Sequence, residues 1–236
     1  ICTYNVKSPT IRQNKNIEWI KCNLKTSRIT LSNKCKIYCT IHLCGITNGK
    51  NVSDLEYFKC NEQTLLNTLE SVKNKTKKFI FISSQAVYGS PNSKKIDEKF
   101  KLQPNFSSYS LSKINCEKWL EYYQSKYKGM YISLRFTGFI GGGGNIDYII
   151  NNAKKNKNIV LYSNGKVCRD YISFEYGNEI ILKILTKKII NKYFCFNVSS
   201  GYIIKSYDIA KIVCDELNSK SKIKLSNTEA GIKNCV

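Results

Sequence analysis

The sequence predicts an α/β fold with a parallel sheet, on the basis of three observations. Residues 79–82 form a continuously apolar run of β-branched and aromatic side chains, which is typical of a strand buried on both faces of a parallel sheet. Residues 107–126 carry apolar side chains at helix-compatible intervals. Strand-like and helix-like segments alternate along the chain, which indicates βαβ units.

The remaining elements are predicted from the same patterns, in chain order. Short strands are expected at residues 1–6, 17–22 and 36–44, a helix at 55–72, and a strand at 131–136 after the helix at 107–126.

Composition limits the class of protein. A chain of 236 residues can bury a substantial core, as one large domain or as one domain with a smaller lobe. No run of about 18 apolar residues appears, and the first residues lack a charged segment followed by an apolar one. The eleven cysteines are dispersed and form no CxxC pair, which favours reduced thiols. We therefore expect a cytoplasmic protein with no membrane association.

The net charge of +21 raises the alternative of a nucleic-acid-binding protein. The lysines are spread along the chain and cluster only briefly, at residues 73–78, 154–157 and 220–224. Such clusters fit loops and solvated helix faces, so this alternative is not favoured.

A metal site is the other alternative that composition suggests, because Cys35, Cys39 and Cys44 surround the single histidine, His42. Alternate residues of a strand face opposite ways, so Cys39 would point away from His42 and Cys44. We therefore predict no metal.

Ser83 and Ser84 end the apolar run at 79–82. Small polar residues just past the carboxyl end of a central strand lie where ligands bind, so Ser84 is a candidate site residue. Tyr109 and Lys113 are four residues apart in the predicted helix, which places them on one face. A free phenol has a pKa of about 10, and a nearby ammonium lowers it towards the range useful for proton transfer.

Ser83-Ser84, Val87-Tyr88-Gly89 and a Tyr-x-x-x-Lys helix 25 positions after Ser84 together resemble the extended short-chain dehydrogenases/reductases, in particular the NAD-dependent nucleotide-sugar epimerase/dehydratase family. The resemblance implies a Rossmann-like doubly wound parallel sheet at residues 1–137, incomplete at its N-terminus. It implies a smaller C-terminal α/β substrate lobe at residues 138–236, with some segments returning to the sheet. Ser84, Tyr109 and Lys113 are the implied catalytic triad.

Weaker motifs extend the resemblance to the cofactor site. Residues 41–45 are similar to the family's strand-end motif His-Leu-Ala-Gly, and residues 134–141 to the segment that turns into the substrate lobe. Asn23-Leu24 falls where the family commonly has Asp-Leu against the adenine. The implied NAD-binding residues are Asn23, Leu24, Leu43, Cys44, Gly45, Ser83, Tyr109, Lys113 and Phe136.

Three later segments bear on the substrate. Residues 161–165, 169–172 and 196–201 resemble the family's glycine-rich hairpin, its Arg-Asp-Tyr motif and its Tyr-Asn-Val-Gly-Ser-Gly. Arg169 is then implied to contact the nucleotide diphosphate, and an ion pair with Asp170 is the alternative. The implied substrate-binding residues are Ser84, Gln85, Gly138 and Arg169.

The chain also departs from the family pattern. No glycine precedes Ile17, whereas a dinucleotide-binding sheet opens with a glycine-rich turn, so we expect a fragment or an abridged member. Cys60 stands near a position where the family usually has an asparagine. Gly138 stands at a position where many nucleotide-sugar enzymes carry an asparagine that contacts the substrate. Gln85-Ala86 replace the Asp-Glu pair that 4,6-dehydratases use to eliminate water, which favours an epimerase or a reductase.

The leading hypothesis is therefore a nucleotide-sugar epimerase or reductase that uses NAD and passes through a keto sugar. In the family, an acidic or basic residue near the position of residues 4–7 usually selects between NAD and NADP. The sequence does not identify that residue here. An inactive fragment or a partner-dependent subunit of the family is the alternative, and a homodimer through the Tyr109 helix is expected by analogy.

Overall fold

The computed structural model describes residues 1–5, 15–49, 51–91, 96–104 and 107–228, and the backbone of 234–235. The chain forms two compact units. The first unit contains Ile1–Ser83, Phe106–Leu134 and Lys188–Cys195, and the second contains Ser84–Asn105, Arg135–Lys187 and Phe196–Val236. This division differs from the predicted boundary at residue 137, since 84–105 lies with the second unit. Residues 188–195 lie with the first unit, and segments of the C-terminal lobe were predicted to return to the sheet.

The strands are β1 (Cys2–Tyr4), β2 (Trp19–Lys21), β3 (Ile37–His42), β4 (Thr76–Ser84), β5 (Met130–Phe136), β6 (Gly138–Phe139), β7 (Ile159–Leu161), β8 (Cys168–Arg169), β9 (Tyr171–Ile172), β10 (Tyr193–Val198), β11 (Ile204–Lys205), β12 (Ile223–Leu225) and β13 (Asn234–Cys235). The α-helices are α1 (Asp54–Tyr57), α2 (Thr64–Val72), α3 (Ser108–Lys126), α4 (Asn145–Lys154), α5 (Phe174–Thr186) and α6 (Ser206–Glu216). None of the described helices is long and apolar enough to cross a membrane.

The main sheet has four strands in the order β10, β5, β4, β3, and β3 and β4 run parallel. Every residue of β5 is buried, as are most residues of β4, and burial on both faces accounts for the apolar run at 79–82 of β4. A separate parallel pair joins β1 to β2. The predicted α/β fold with a parallel sheet is confirmed.

The core of the first unit lies where α2 and α3 cover the sheet. Leu65 and Leu69 of α2 and Leu120 of α3 are fully buried against Phe79 and Tyr131. The rings of Phe79 and Tyr131 stack with their centroids 5.9 Å apart. Burial of such side chains contributes roughly 1.5–3 kcal/mol each, so this packing holds α3 in a defined position.

The helix predicted at 55–72 is present, but it contains a π-helical stretch, Phe58–Gln63, between α1 and α2. Ser53 caps its start by accepting a hydrogen bond from the backbone N–H of Glu56 at 3.2 Å. π turns occur often at functional sites, and this one contains Cys60 and Asn61.

The second unit has its own core. Ile149 of α4 and Ile209 of α6 pack with Ile159 and Leu161 of β7. Strand β7 pairs in parallel with β12, β8 pairs with β11 and β13, and β6 pairs with β9.

Candidate active site

Helix α3 starts at a Ser107 cap, whose hydroxyl accepts a hydrogen bond from the N–H of Ser110 at 3.3 Å. Tyr109 lies in this first turn and is half-buried, with its ring centroid 6.1 Å from that of Tyr57. The cap and the contact with Tyr57 fix the position of the phenol at the N-terminal end of the helix.

Lys113 lies one turn further along α3 and is 7% exposed. Its ammonium donates to the backbone carbonyl of Ile82 at 2.9 Å and lies 4.8 Å from the centroid of the Phe81 ring. The ammonium is also 5.9 Å from the centroid of the Tyr109 ring. Burial lowers the pKa of Lys113, and the nearby Cys116 and Glu117 oppose that effect.

An ammonium has three N–H donors, and Lys113 uses one of them in a hydrogen bond to the described residues. The other two donors are available to a ligand. Lys113 therefore keeps donors for hydroxyl oxygens, and its role beside Tyr109 stays a prediction.

Ser83 and Ser84 end β4, but their hydroxyls have different partners. The Ser83 hydroxyl is buried and donates to Oε1 of Glu117 at 2.5 Å. The Ser84 hydroxyl accepts from the backbone N–H of Ala86 at 3.2 Å, at the start of the 3-10 turn Gln85–Tyr88. Of the predicted triad, Tyr109 and Lys113 share one face of α3 in the first unit, and Ser84 is the first residue of the second unit.

The first unit has a pocket of about 350 Å³ beside the ends of β1, β2 and β3. Four of the predicted NAD-binding residues line it: Asn23, Leu24, Cys44 and Gly45. The other lining residues are Thr3, Tyr4, Asn5, Cys22, Lys25, Ile46, Glu56, Cys60 and Thr64.

The other predicted NAD-binding residues do not line this pocket. Leu43 is 71% exposed, and Tyr109 and Lys113 lie on α3. The Ser83 hydroxyl donates its hydrogen bond to the Glu117 carboxylate. Phe136 is buried in the second unit, with its ring centroid 5.2 Å from that of Phe139. Their roles towards a cofactor stay predictions.

Asn61, which the sequence reasoning missed, holds the backbone of Ile46, one of the residues that line the pocket. Its buried amide accepts from the N–H of Ile46 at 2.8 Å and donates to the Ile46 carbonyl and to Ser112 of α3. A Cβ on Gly45, whose φ is +147°, would lie 2.7 Å from Oδ1 of Asn61. Gly45 is thus required by close packing. The same helical run also contains Glu62, Gln63 and Asn67, so no sequence signal singled out Asn61.

Cys60, expected near the family's asparagine position, does not take that role. Its thiol donates to the Glu56 carboxylate at 3.0 Å, and Lys25 forms an ion pair with the same carboxylate. The buried amide is supplied by the next residue, Asn61, within the π-helical stretch.

The lining of this pocket fits the adenosine end of a dinucleotide. Asn23 uses its side-chain oxygen for the N–H of Lys25 at 3.1 Å, and its Nδ2 has no described partner and can donate to a ring nitrogen. Leu24 provides apolar surface, and burial raises the pKa of Cys44, which keeps that thiol neutral. Since Lys25 and Glu56 compensate each other, the pocket favours a neutral ring system.

The second unit has a larger pocket, of about 640 Å³. Of the predicted substrate residues, Gln85 lines it, and its buried Oε1 has no described hydrogen-bond partner. The other lining residues are Tyr88, Ile96, Asp97, Phe100, Arg135, Thr137, Asp170, Asn197, Ser199, Gly201 and Ile203. Ser84, Gly138 and Arg169 are not among them.

Two buried charges of this pocket are held by the protein itself. The Asp170 carboxylate accepts from the backbone N–H groups of Ser200 at 2.9 Å and Gly201 at 2.7 Å, and from the Thr137 hydroxyl. Arg135 donates to the Tyr88 hydroxyl at 2.7 Å and to the Glu98 carbonyl, and the Tyr88 hydroxyl donates to Asn197. Neither role was predicted.

Arg169 does not form the alternative ion pair with Asp170. No carboxylate lies within 4.0 Å of its guanidinium in the part of the chain that the structure describes, and its buried Nε has no described partner. The guanidinium therefore keeps donors for an anionic ligand.

Gly138 is explained by packing. A Cβ at this position would lie 2.9 Å from the Tyr171 ring, so an asparagine could not fit without displacing that ring. The glycine thus accommodates Tyr171, and its predicted contact with substrate stays a prediction.

The sulfur and imidazole groups around His42 do not gather into a site. His42 is buried at the end of β3 near the rings of Phe79 and Phe81. Over the described residues, no group of three or more His, Cys, Asp or Glu side chains is placed to hold a metal ion.

Comparison with known proteins identifies the family of this chain. The model of the NAD dependent epimerase/dehydratase family matches residues 3–198. The dTDP-D-glucose 4,6-dehydratase of Dictyostelium discoideum is 30% identical over 220 residues, which are 83% of this chain and 49% of the relative. The chain thus spans about half the length of this curated relative.

Two solved structures have a similar fold. The UDP-N-acetylglucosamine 4-epimerase of Methanobrevibacter ruminantium, in complex with UDP-N-acetylmuramic acid, has a TM-score of 0.83 at 23% identity, over 94% of this chain and 74% of that one. The UDP-glucose 4-epimerase of Thermus thermophilus, in complex with NAD, has a TM-score of 0.79 at 18% identity, over 95% and 77% of the two chains. Because the family model covers most of the sequence, this chain belongs to the NAD dependent epimerase/dehydratase family.

Proposed function

We propose that the protein is an NAD-dependent enzyme that epimerises or reduces a nucleotide sugar through a keto-sugar intermediate. The observation that carries the proposal is the pair on α3. Tyr109 lies one turn from a buried ammonium, Lys113, which is fixed to the Ile82 carbonyl and retains two donors. A phenol beside a cation is suited to proton transfer with a sugar hydroxyl.

Tyr109, Lys113 and Ser84 then have separate tasks. Tyr109 removes the proton of the reacting hydroxyl and later returns it. Lys113 stabilises the ionised phenol and uses its remaining donors for a ribose hydroxyl of the cofactor. Ser84 hydrogen-bonds the reacting oxygen of the sugar. Bound NAD would supply the hydride acceptor and donor.

The residues expected to hold NAD fall into two groups. Asn23, Leu24, Cys44 and Gly45 would enclose its adenosine end, because they line one neutral pocket. Leu43, Ser83, Phe136 and the α3 pair would lie along the rest of the dinucleotide, as the family resemblance implies. Titration with NADH and with NADPH measures which of the two cofactors the chain prefers.

Gln85 supports epimerisation or reduction over elimination of water. A carboxamide does not act as an acid or a base, and the Gln85 Oε1 accepts hydrogen bonds only. It lines the 640 Å³ pocket of the second unit, where it is suited to orient a hydroxyl. The curated relative is a 4,6-dehydratase by name. The proposed reaction of this chain differs from it because of Gln85.

Arg169 supports a nucleotide-diphosphate substrate. Its guanidinium has no described carboxylate partner, and a planar fork of donors matches phosphate oxygens. The solved relative in complex with UDP-N-acetylmuramic acid holds such a ligand by name. Gly138 would contribute backbone, not side chain, to the substrate site.

A homodimer and a cytoplasmic location belong to the same proposal. Helix α3 exposes Leu111, Trp119 and Tyr122, which are suited to a helix–helix interface. The ten described cysteines are free, which suits a reducing compartment. Light scattering of the full chain should give twice the monomer mass, and Leu111→Glu with Trp119→Glu should restore the monomer.

The test is performed on the full chain in two stages. NADH and NADPH are titrated while emission from the nicotinamide is recorded, and micromolar binding of NADH is expected. The chain is then incubated either with NAD and UDP-glucose, UDP-N-acetylglucosamine or dTDP-glucose, which tests epimerisation, or with NADH and a 4-keto nucleotide sugar, which tests reduction. Products are separated by chromatography. Epimerised or reduced sugars support the proposal, whereas a 4-keto-6-deoxy sugar or no cofactor binding contradicts it.

A further inference from the structure

The face of α3 that carries Tyr109 and Lys113 continues to a third polar residue. Glu117 lies one turn beyond Lys113 and is only 3% exposed. Residues at positions i, i+4 and i+8 of a helix share one face. A carboxylate is therefore buried on the same stripe as the ammonium.

Glu117 and Lys113 contact consecutive residues of β4. Lys113 donates to the carbonyl of Ile82, and Glu117 accepts from the hydroxyl of Ser83 at 2.5 Å. These two hydrogen bonds join successive turns of α3 to the end of the strand. Their geometry holds the helix in register with the strand at the level of Lys113.

The buried charges also interact. Burial lowers the pKa of Lys113, and the negative charge of Glu117 opposes this effect. Among the described residues, the other titratable groups that face Lys113 are Tyr109 and Cys116 on α3 and His42 on β3. Burial raises the pKa of the Cys116 thiol and lowers that of His42 to about 3, so both are neutral near pH 7.

We propose that Glu117, held by Ser83, is a positioning residue that fixes Lys113 beside Tyr109 and places a buried carboxylate one turn from its ammonium. Glu117 does not touch substrate and acts through Lys113. The catalytic meaning of this role rests on the proposed function, since Lys113 serves Tyr109 and the cofactor ribose there. The effect on the protonation of Lys113 does not depend on any substrate.

The test measures the protonation of Lys113 directly. The full chain is pulse-labelled with acetic anhydride between pH 7 and 11 and digested, and the extent of labelling at Lys113 is read by mass spectrometry. Glu117→Gln removes the charge but keeps an acceptor for Ser83. We expect the midpoint of Lys113 labelling to fall by roughly one pH unit in this variant.

Glu121→Gln is the matched control, because Glu121 lies one turn further on α3 and is exposed with Lys118 as its partner. Its Lys113 midpoint should equal that of the unchanged chain. A purely structural role for Glu117 would lower the melting temperature without moving the midpoint. An unmoved midpoint in a folded Glu117→Gln chain would therefore overturn the proposal.

Ser83→Ala decides the question if Glu117→Gln does not fold. This variant keeps the carboxylate and removes its donor, so we expect faster labelling of Lys113 as the helix loses its tether. An unchanged labelling rate would count against the proposal. Absence of turnover in the unchanged chain would contradict the proposed function alone, because labelling requires neither cofactor nor sugar.

Discussion

Asp170 and Arg135 in the second unit and Lys113 in the first are buried charges that differ in their hydrogen bonding. In the second unit, Asp170 and Arg135 have several hydrogen bonds each from the protein. In the first unit, Lys113 has one described hydrogen bond, and Nε2 of His42 has none among the described residues. A buried group without its hydrogen bonds costs about 1–3 kcal/mol, more if it is charged.

This difference separates structural roles from roles towards a ligand. A carboxylate such as Asp170 that is fully bonded to backbone N–H groups stabilises the fold and has little capacity left for a ligand. An ammonium such as Lys113 that keeps two donors carries a cost in the free protein. A bound ligand can remove that cost, which makes Lys113 the better candidate for function.

The largest expected effect is the loss of activity in Tyr109→Phe. The ring is retained, so the fold should be unchanged, but the proton donor and acceptor is lost and turnover should fall by about 10²–10⁴-fold. Turnover of the nucleotide sugar and the melting temperature are measured together. Tyr122→Phe, an exposed tyrosine of α3, is the control. Equal turnover in both variants would contradict the role of Tyr109.

Asp170→Ala should produce the largest loss of stability. The backbone donors of Ser200 and Gly201 would lose a buried, charged acceptor, which should lower the free energy of unfolding by about 3 kcal/mol. Urea unfolding followed by circular dichroism measures the change. Asp215→Ala, at an exposed position of α6, should change it by less than about 0.5 kcal/mol. A small effect for Asp170 would contradict its structural role.

His42 should make stability depend on pH. Burial lowers its pKa from 6.5 to about 3, so below pH 6.5 the unfolded chain binds a proton that the folded chain does not. Stability should therefore fall by about 2 kcal/mol between pH 6.5 and 5. The chain has one histidine, so its NMR signal is unambiguous and should not titrate between pH 5 and 8. In His42→Leu this part of the pH dependence should disappear.

The smallest effect is expected at Glu70, which is partly exposed. The Tyr123 hydroxyl donates to its carboxylate and, with Lys73 and Arg28, lowers its pKa below 4.5. Its contribution is present above pH 4.5 and is lost as the pH falls through the lowered value. Glu70→Gln should lower the free energy of unfolding by about 1 kcal/mol at pH 7. A difference that persists unchanged at pH 3 would contradict this assignment.

The local elements were accessible from sequence because their signals are local. The apolar run at 79–82 indicated a strand buried on both faces, and the structure extends it to Thr76–Ser84. The helical periodicity after Ser107 indicated α3 to within a residue. The spacing of Tyr109 and Lys113 placed them on one face of that helix, since helix geometry follows from sequence separation.

Other features required tertiary structure, because they join residues far apart in the chain. Asn61 lies 51 positions from Ser112, and Ser83 lies 34 positions from Glu117. Periodicity shows which face of a helix is buried, but it does not show which polar group on that face meets which partner. Asp170 was considered as a partner for Arg169, whereas the structure gives its carboxylate the backbone N–H groups of residues 200 and 201.

The sequence by itself therefore determined the fold class, the order of the main elements and the pair on α3. Each of these follows from short-range geometry and from the burial of apolar side chains. Tertiary structure alone decided the division into two units, the amide of Asn61 that holds the backbone of Ile46, and the burial of the Glu117 carboxylate on the face of Lys113. Those features depend on hydrogen bonds between distant residues, whose geometry exists only when the chain has folded.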